Sequence, residues 1–289
     1  MAERSKRSRR HRSTVAARAR HHGHRTPRRR GRAILRPMSY VMIDTSDGVA
    51  QLTLNDPDRR NAVSQAMNDE IVAALDELEP DPSIGALVVT GAGKGFCAGA
   101  VLDDLLAAES TGITRIYEGF LRVAHSPLAT VAAVNGAAVG AGMNMVLACD
   151  IVLAGRQYAR FDSRFLKIGL HPGGGHTWRL RHVTDRTTAM AMVIFGEVLS
   201  ADDAHRTGLV WEVADDGALL DRAHELAARA AAQPKELVAR TKATILSLDE
   251  VNDSAAAVDF ELHPQLWSMG ETAFKDLVRR LQSEISSKP

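Results

Sequence analysis

The sequence predicts an α/β fold: a parallel sheet built from strand–helix repeats, followed by a mostly helical last third. Three observations carry this expectation. Residues 86–90, 130–134 and 151–154 are short, largely apolar runs of the kind that form strands buried on both faces of a parallel sheet. Helix-spaced stretches separate these runs, as parallel strands require, and such crossovers are right-handed. Past the glycines at 173–175 helical patterns dominate to the end.

Each element has its own signal. Residues 40–45 and 49–54 flank Ser46-Asp47-Gly48, a hairpin turn. Ser64 is placed to cap a helix in which Met67, Ile71, Ala74, Leu75 and Leu78 form one apolar stripe, and Asp81-Pro82 ends it. After the strand at 86–90 comes a glycine-rich loop over 91–99, then helical segments over 102–126. The strand at 130–134 turns at Asn135-Gly136 into a helix over 140–148, and 210–213 is the one late strand.

The 289 residues are 45% hydrophobic and 25% charged, the profile of a soluble globular chain long enough for a sizeable core. No run approaches the ~18 apolar residues of a membrane span. Two cysteines, Cys97 and Cys149, make neither a disulfide framework nor a closed zinc site, so a reducing compartment and a cytoplasmic location are expected. The body carries no histidine–carboxylate cluster spaced for a metal, and only 4% of residues are aromatic, too few for base-stacking platforms. The net charge of +1 hides a division. Residues 1–37 hold 13 Arg and one Lys against Glu3; removing them leaves 22 basic and 34 acidic residues, a net −12. An acidic body is a poor nucleic-acid binder. The basic leader lacks the apolar surface to offset its ordering entropy and is expected to be disordered. Met38 directly precedes the first strand signal, so translation is expected to start there. The alternatives are a tail that touches nucleic acid or anionic surfaces, and a targeting segment.

Two glycine-rich stretches carry the chemistry. Gly91-Ala92-Gly93-Lys94-Gly95-Phe96-Cys97-Ala98-Gly99-Ala100 is not a P-loop, because Gly95 follows Lys94. It also starts too late after its strand for a dinucleotide fingerprint. Its small residues do allow backbone N–H groups to approach a ligand, as an oxyanion hole requires. Asn135-Gly136-Ala137-Ala138-Val139-Gly140-Ala141-Gly142 runs from a strand end into a helix start, where N–H donors and the dipole favour negative charge. Taken alone, this second stretch reads better as tight helix–sheet packing.

Together, the two stretches resemble the crotonase (enoyl-CoA hydratase/isomerase) superfamily over nearly all of 38–289. Leu54-Asn55-Asp56-Pro57-Asp58-Arg59-Arg60-Asn61-Ala62-Val63 is similar to the family's first CoA-contacting turn, and Pro172-Gly173-Gly174-Gly175 to its Pro-Gly loop. Gly196-Glu197-Val198-Leu199-Ser200-Ala201, Gly208-Leu209-Val210 and Lys242 match its later pattern, and Met38 matches its usual start. The resemblance implies a crotonase-like spiral of ββα units over 38–200, with an acyl-CoA site. It implies a mostly helical trimerisation region over 201–289, and a homotrimer or a dimer of trimers. No separate cofactor is implied, since coenzyme A arrives on the substrate, and no metal.

Residue by residue, the resemblance implies that the thioester oxygen accepts from the Ala98 and Ala141 N–H groups. Arg59 or Arg60 faces the CoA phosphates, unless this is simply a solvated turn. Ala100 and Leu102 hold the adenine end, and Phe165 and Met143 meet the acyl chain. Two positions depart from the pattern. Asn144 and Phe165 stand where a hydratase of this family carries its two glutamates. Asn144 can hold water but takes no proton, and Phe165 does neither. Ordinary hydration is therefore expected to be weak, since each acid–base group is worth roughly 10²–10⁴-fold. His171 is the best remaining proton acceptor, with a structural histidine as its alternative. Asp162 is a second candidate or an N-cap. Glu118 lies in a helix of uncertain register, and Cys97 reads as a small packed residue. Two classes remain open: an acyl-CoA lyase or isomerase of fatty-acyl metabolism working through an enolate, and an acyl-CoA binding protein that has lost catalysis.

Overall fold

The hairpin at Ser46-Asp47-Gly48 forms as expected, with Asp47 and Gly48 both at positive φ. It joins β1 (Val41–Ser46) to β2 (Val49–Leu54) in antiparallel register. The protein is described here by a computed structural model covering residues 39–108, 110–251 and 253–286. The basic leader, with its expected disorder and start at Met38, lies outside the described residues.

From β2 onward the main sheet is parallel. The Ser64 hydroxyl accepts from Met67 N at 3.2 Å and starts α1 (Gln65–Leu78), whose expected stripe is buried. Then come β3 (Ala86–Gly91), α2 (Leu102–Ala107), α3 (Ser110–Ala124), β4 (Ala129–Val134), β5 (Ala137–Val139), α4 (Ala141–Ala148), β6 (Ile151–Gly155) and β7 (Arg160–Asp162). The remainder runs α5 (His176–Val183), α6 (Arg186–Val193), β8 (Val198–Ser200), α7 (Ala201–Arg206), β9 (Glu212–Ala214), α8 (Leu219–Ala231), α9 (Lys235–Ser247), α10 (Ser254–Gly270) and α11 (Thr272–Ser286). Strand order in the large sheet is β1-β2-β3-β4-β6-β9, and β5-β7-β8 make a smaller one.

The path repeats. A long strand of the main sheet is followed by a short extended piece and then a helix: β4 by β5 and α4, and β3 by the segment that bridges Cys97 to Ala138 and Ala100 to Val63. This is a spiral of ββα turns. One face of the sheet, with Leu52, Leu87, Val89, Ala132 and Val134, packs on α1, α3 and α4 in the larger core. The other, with Val49, Val88, Val131 and Leu153, packs on Leu219, Ala223 and Ala227 of α8. Part of the 201–289 region is thus built into the body. β9 extends the sheet, α8 covers it, and Lys242 of α9 binds Leu128 O and Asp150, each at 2.9 Å.

Two polar side chains tie loops to this frame. Asn68 of α1 is buried, donates to Ile116 O at 3.2 Å and accepts from Gly119 N at 3.2 Å, locking α1 against α3. Asn61, fully buried at φ 58°, accepts from Asp56 N at 2.8 Å and donates to Ala92 O at 2.9 Å and Gly95 O at 2.8 Å. It clamps the turn after β2 to the first glycine-rich loop. Asn61→Ala orphans buried backbone groups and places a less tolerant residue in the left-handed region. We expect urea denaturation of that variant to show a loss of about 2 kcal/mol or more with an unchanged m-value. A loss below about 0.5 kcal/mol, the level of an ordinary surface substitution, would contradict the clamp.

Candidate active site

The two glycine-rich strand ends meet at a cavity of about 300 Å³. Gly142, in the first turn of α4, lies directly against Cys97: a Cβ there would collide with the Cys97 carbonyl oxygen. Val139 N also donates to Cys97 O at 2.9 Å, and Cys97 N to Ala137 O at 3.0 Å. Ala141 is the first residue of α4, preceded by Gly140 at φ 51°, whose N–H is taken by Asp162 O at 3.0 Å. The Ala141 N–H has no acceptor among the described residues and lines the cavity at a helix start, where the dipole favours negative charge.

The second donor differs from the expectation. Ala98 N donates to Arg60 O at 3.0 Å and so is not available to a ligand. Gly99, at φ 110°, then turns the chain. Val63 N takes Gly99 O at 2.7 Å, and Val101 N takes Val63 O at 3.0 Å. The Ala100 N–H between these contacts has no acceptor among the described residues, and Ala100 lines the cavity. The uncommitted pair is therefore Ala100 and Ala141.

The walls are mostly apolar: Leu102, Leu105, Ile113, Ile116, Phe120, Phe165, Ile168 and Leu170. No aspartate or glutamate is among the lining residues. His171 lines the cavity and its Nδ1 meets Pro172 O at 2.7 Å. A carbonyl only accepts, so this bond puts the proton on Nδ1 and leaves the Nε2 lone pair for another partner. Asn144 is 2% exposed and lines the cavity. Its Nδ2 donates to Gly173 O at 3.1 Å, and its Oδ1 faces His176 Nδ1 at 2.8 Å.

His176 and Ser163 are the residues that sequence reasoning missed. His176 is buried, with Nδ1 on Asn144 Oδ1 and Nε2 on Ser163 Oγ at 2.9 Å. Burial pushes its pKa down to about 4, so it is neutral near pH 7. The chain of bonds then has one direction: Ser163 donates to His176, His176 to Asn144, and Asn144 to Gly173 O. Phe165 packs edge-on to the His176 ring at 4.8 Å. The three polar partners come from three separate elements, so no local spacing announces them.

Other candidates move away from the cavity. Asp162 is the last residue of β7 rather than a helix cap. Its Oδ2 is held by Arg164 Nε at 2.8 Å, and it does not line the cavity. Met143 is fully buried in the main core rather than on the cavity wall, because all eight residues of α4 are buried and the helix has no single inner face. Glu118 is exposed and also off the wall. Arg59 pairs with Asp56 at 2.6 Å; Arg60 is exposed, in the left-handed region, with no ion pair among the described residues. Burial pushes the Cys97 thiol up to about 11, consistent with its packing role. Among the described residues no group of three or more His, Cys, Asp or Glu is placed to hold a metal, and no helix is long and apolar enough to cross a membrane.

The low pKa of His176 fixes the sign of a pH effect. Above about 6.5 both folded and unfolded chains hold a neutral imidazole. Below that, the unfolded chain takes a proton that the fold refuses, so stability falls as pH drops from about 6.5 towards about 4. At pH 5 the expected cost is about 2 kcal/mol relative to pH 7.5. We expect denaturation curves of His176→Gln to lack that part of the slope; identical pH dependence in both proteins would contradict the assignment.

Comparison with known proteins supplies the family. The model of the enoyl-CoA hydratase/isomerase family matches residues 44–274. The chain is 46% identical over 227 residues to the probable enoyl-CoA hydratase EchA14 of Mycobacterium tuberculosis, covering 77% of this chain and 86% of that one. It is 38% identical over 233 residues to the 1,2-epoxyphenylacetyl-CoA isomerase of Escherichia coli, covering 78% and 88%. Among solved structures, the enoyl-CoA hydratase of Mycobacterium smegmatis superposes with a TM-score of 0.77 at 30% identity, covering 84% of this chain and 96% of that one. An enoyl-CoA hydratase from Polaromonas superposes with a TM-score of 0.78 at 28% identity, covering 84% and 97%. With the ββα spiral and the matched motifs, these likenesses establish that the chain belongs to the enoyl-CoA hydratase/isomerase family of the crotonase superfamily.

Proposed function

We propose that the protein binds acyl-CoA thioesters in this cavity and stabilises a thioester enolate between the N–H groups of Ala100 and Ala141. The observation that carries this reading is the pair of uncommitted backbone donors, from two strand ends held in contact, on one mostly apolar cavity. Such donors are fixed before the reaction and act where water is scarce, so they favour charge that develops on the thioester oxygen. Membership of the family supports the substrate class. Coenzyme A arrives as part of the substrate, and no separate cofactor is invoked. Arg60, exposed and without an ion pair among the described residues, is the proposed contact for its phosphates, and the exposed Leu102 at the start of α2 for its adenine end.

His171 is the proposed base. Its Nε2 lone pair takes a proton from the α-carbon and the electron pair of that C–H bond moves onto the thioester oxygen. In a saturated ester the imidazolium returns the proton to the α-carbon; in a β,γ-enoyl ester the enolate is conjugated with the double bond, and protonation at the γ-carbon leaves the double bond between the α- and β-carbons with no net change in atoms. This makes isomerisation the favoured reaction class. Hydration is disfavoured because no carboxylate lines the cavity and Asn144 cannot accept a proton. The same absence favours a second reading, an acyl-CoA binding protein without catalysis. Oligomerisation as a homotrimer or a dimer of trimers fits the apolar side chains left exposed on α10 and α11, among them Phe260, Leu266, Phe274 and Leu281.

The test is exchange of the α-protons of butyryl-CoA in deuterated buffer, followed by proton NMR, with binding measured in parallel by calorimetry. The proposal expects exchange above the protein-free rate. It also expects a fall of about 10²-fold or more in His171→Ala, with binding retained. Binding without exchange would select the non-catalytic reading. Absence of binding would overturn both.

A further inference from the structure

Tyr117 holds a hydroxyl group that the fold has made room for and that has no hydrogen-bond partner among the described residues. Tyr117 lies on α3 with its ring tilted against Phe120 at a centroid distance of 5.6 Å, partly buried against the main core. It lines the cavity, and its Oη has no hydrogen-bond partner among the described residues. Tyrosine hydroxyls in such surroundings ordinarily find a partner.

The position of the hydroxyl is set by Gly173. A Cβ at 173 would collide with Tyr117 Oη. Gly173 does not have the positive φ of Gly174 and Gly175, so backbone conformation does not demand glycine there. The phenol does. Its hydroxyl stands where a side chain of the Pro-Gly loop would otherwise project. Gly173 O is in turn held by Asn144 Nδ2, so loop, amide and phenol form one fixed wall.

That wall lies about one turn of α4 from the Ala141 donor. Asn144 follows Ala141 by three residues, close to one helical turn, a rise of roughly 5 Å. A chain whose thioester oxygen sits on Ala141 N–H would place its β-carbon region near the Asn144–Gly173 wall. His171, two residues before Gly173, presents an Nε2 acceptor to the same cavity. A donor and an acceptor on one cavity wall suit a hydroxyl, which accepts from one and donates to the other.

Resting on the acyl-CoA reading above, we propose that Tyr117 is a specificity-determining residue: its hydroxyl donates to an oxygen on or beside the β-carbon of the acyl chain and selects oxygenated acyl-CoA esters over plain alkyl ones. The test is calorimetric binding of 3-hydroxybutyryl-CoA and butyryl-CoA to the full chain and to Tyr117→Phe, which keeps the ring and removes only the hydroxyl. The wild type should prefer the hydroxy ester by about tenfold, the size of one good neutral hydrogen bond. Tyr117→Phe should bring the ratio to within about twofold, and Gly173→Ala should do the same by displacing the hydroxyl. Binding of both esters without preference, or a preference that survives both substitutions, would overturn the role of Tyr117 alone. Failure of the wild type to bind either ester would overturn the acyl-CoA reading and this inference with it.

Discussion

Gly142 rests on the carbonyl oxygen of Cys97 with no room for a side chain between them, and the site depends on that approach. It brings the start of α4 beside the strand end at 97–100, so that two N–H groups distant in sequence open on one cavity. The neighbouring bonds hold the approach in place. Val139 N and Cys97 N make the reciprocal contacts of a parallel bridge, and Gly140 N is tied to Asp162 O. Asn61 fixes the loop from behind. Each of these contacts uses backbone atoms, which is why the segments are rich in glycine and alanine.

The electrostatic character follows from what surrounds the donors. The walls are apolar, and the polar groups that reach the cavity carry no negative charge. Burial keeps His176 neutral, and its bonds to Ser163 and Asn144 consume its polarity within the protein. On the proposed reading, a negative charge developing on a thioester oxygen would meet two oriented N–H dipoles and a helix start, with no carboxylate in the lining to oppose it. The polar side chains in the lining are Tyr117, Asn144, Arg164 and His171.

Much of the fold was legible because it rests on periodicity. The buried parallel strands, the hairpin and the stripe of α1 follow from alternation and helical spacing, and all are found. Of the two donors that the resemblance implies, Ala141 has an uncommitted N–H on the cavity and Ala98 does not. The glycine-rich run into α4 shows only that a helix start with free N–H groups is present there; Ala141 itself comes from the resemblance. Ala98 could not be told from Ala100, since the choice depends on the φ of Gly99 and on the capture of Ala98 N by Arg60 O. The resemblance puts Met143 at the acyl chain, and α4, buried all round, carries no polar stripe to show that it faces the core instead. His176 and Ser163 gave no signal: His176 lies 13 residues from Ser163 and 32 from Asn144 along the chain, and only the fold joins the three.

The central claim is that the thioester carbonyl is polarised by two backbone donors, and it has a direct spectroscopic reading. Butyryl-CoA labelled with carbon-13 at the thioester carbonyl can be followed by difference infrared spectroscopy as it binds. Two fixed donors in an apolar cavity should lower the carbonyl stretching frequency below its value in water and narrow the band. A frequency equal to or above the aqueous one, with binding complete, would contradict the account.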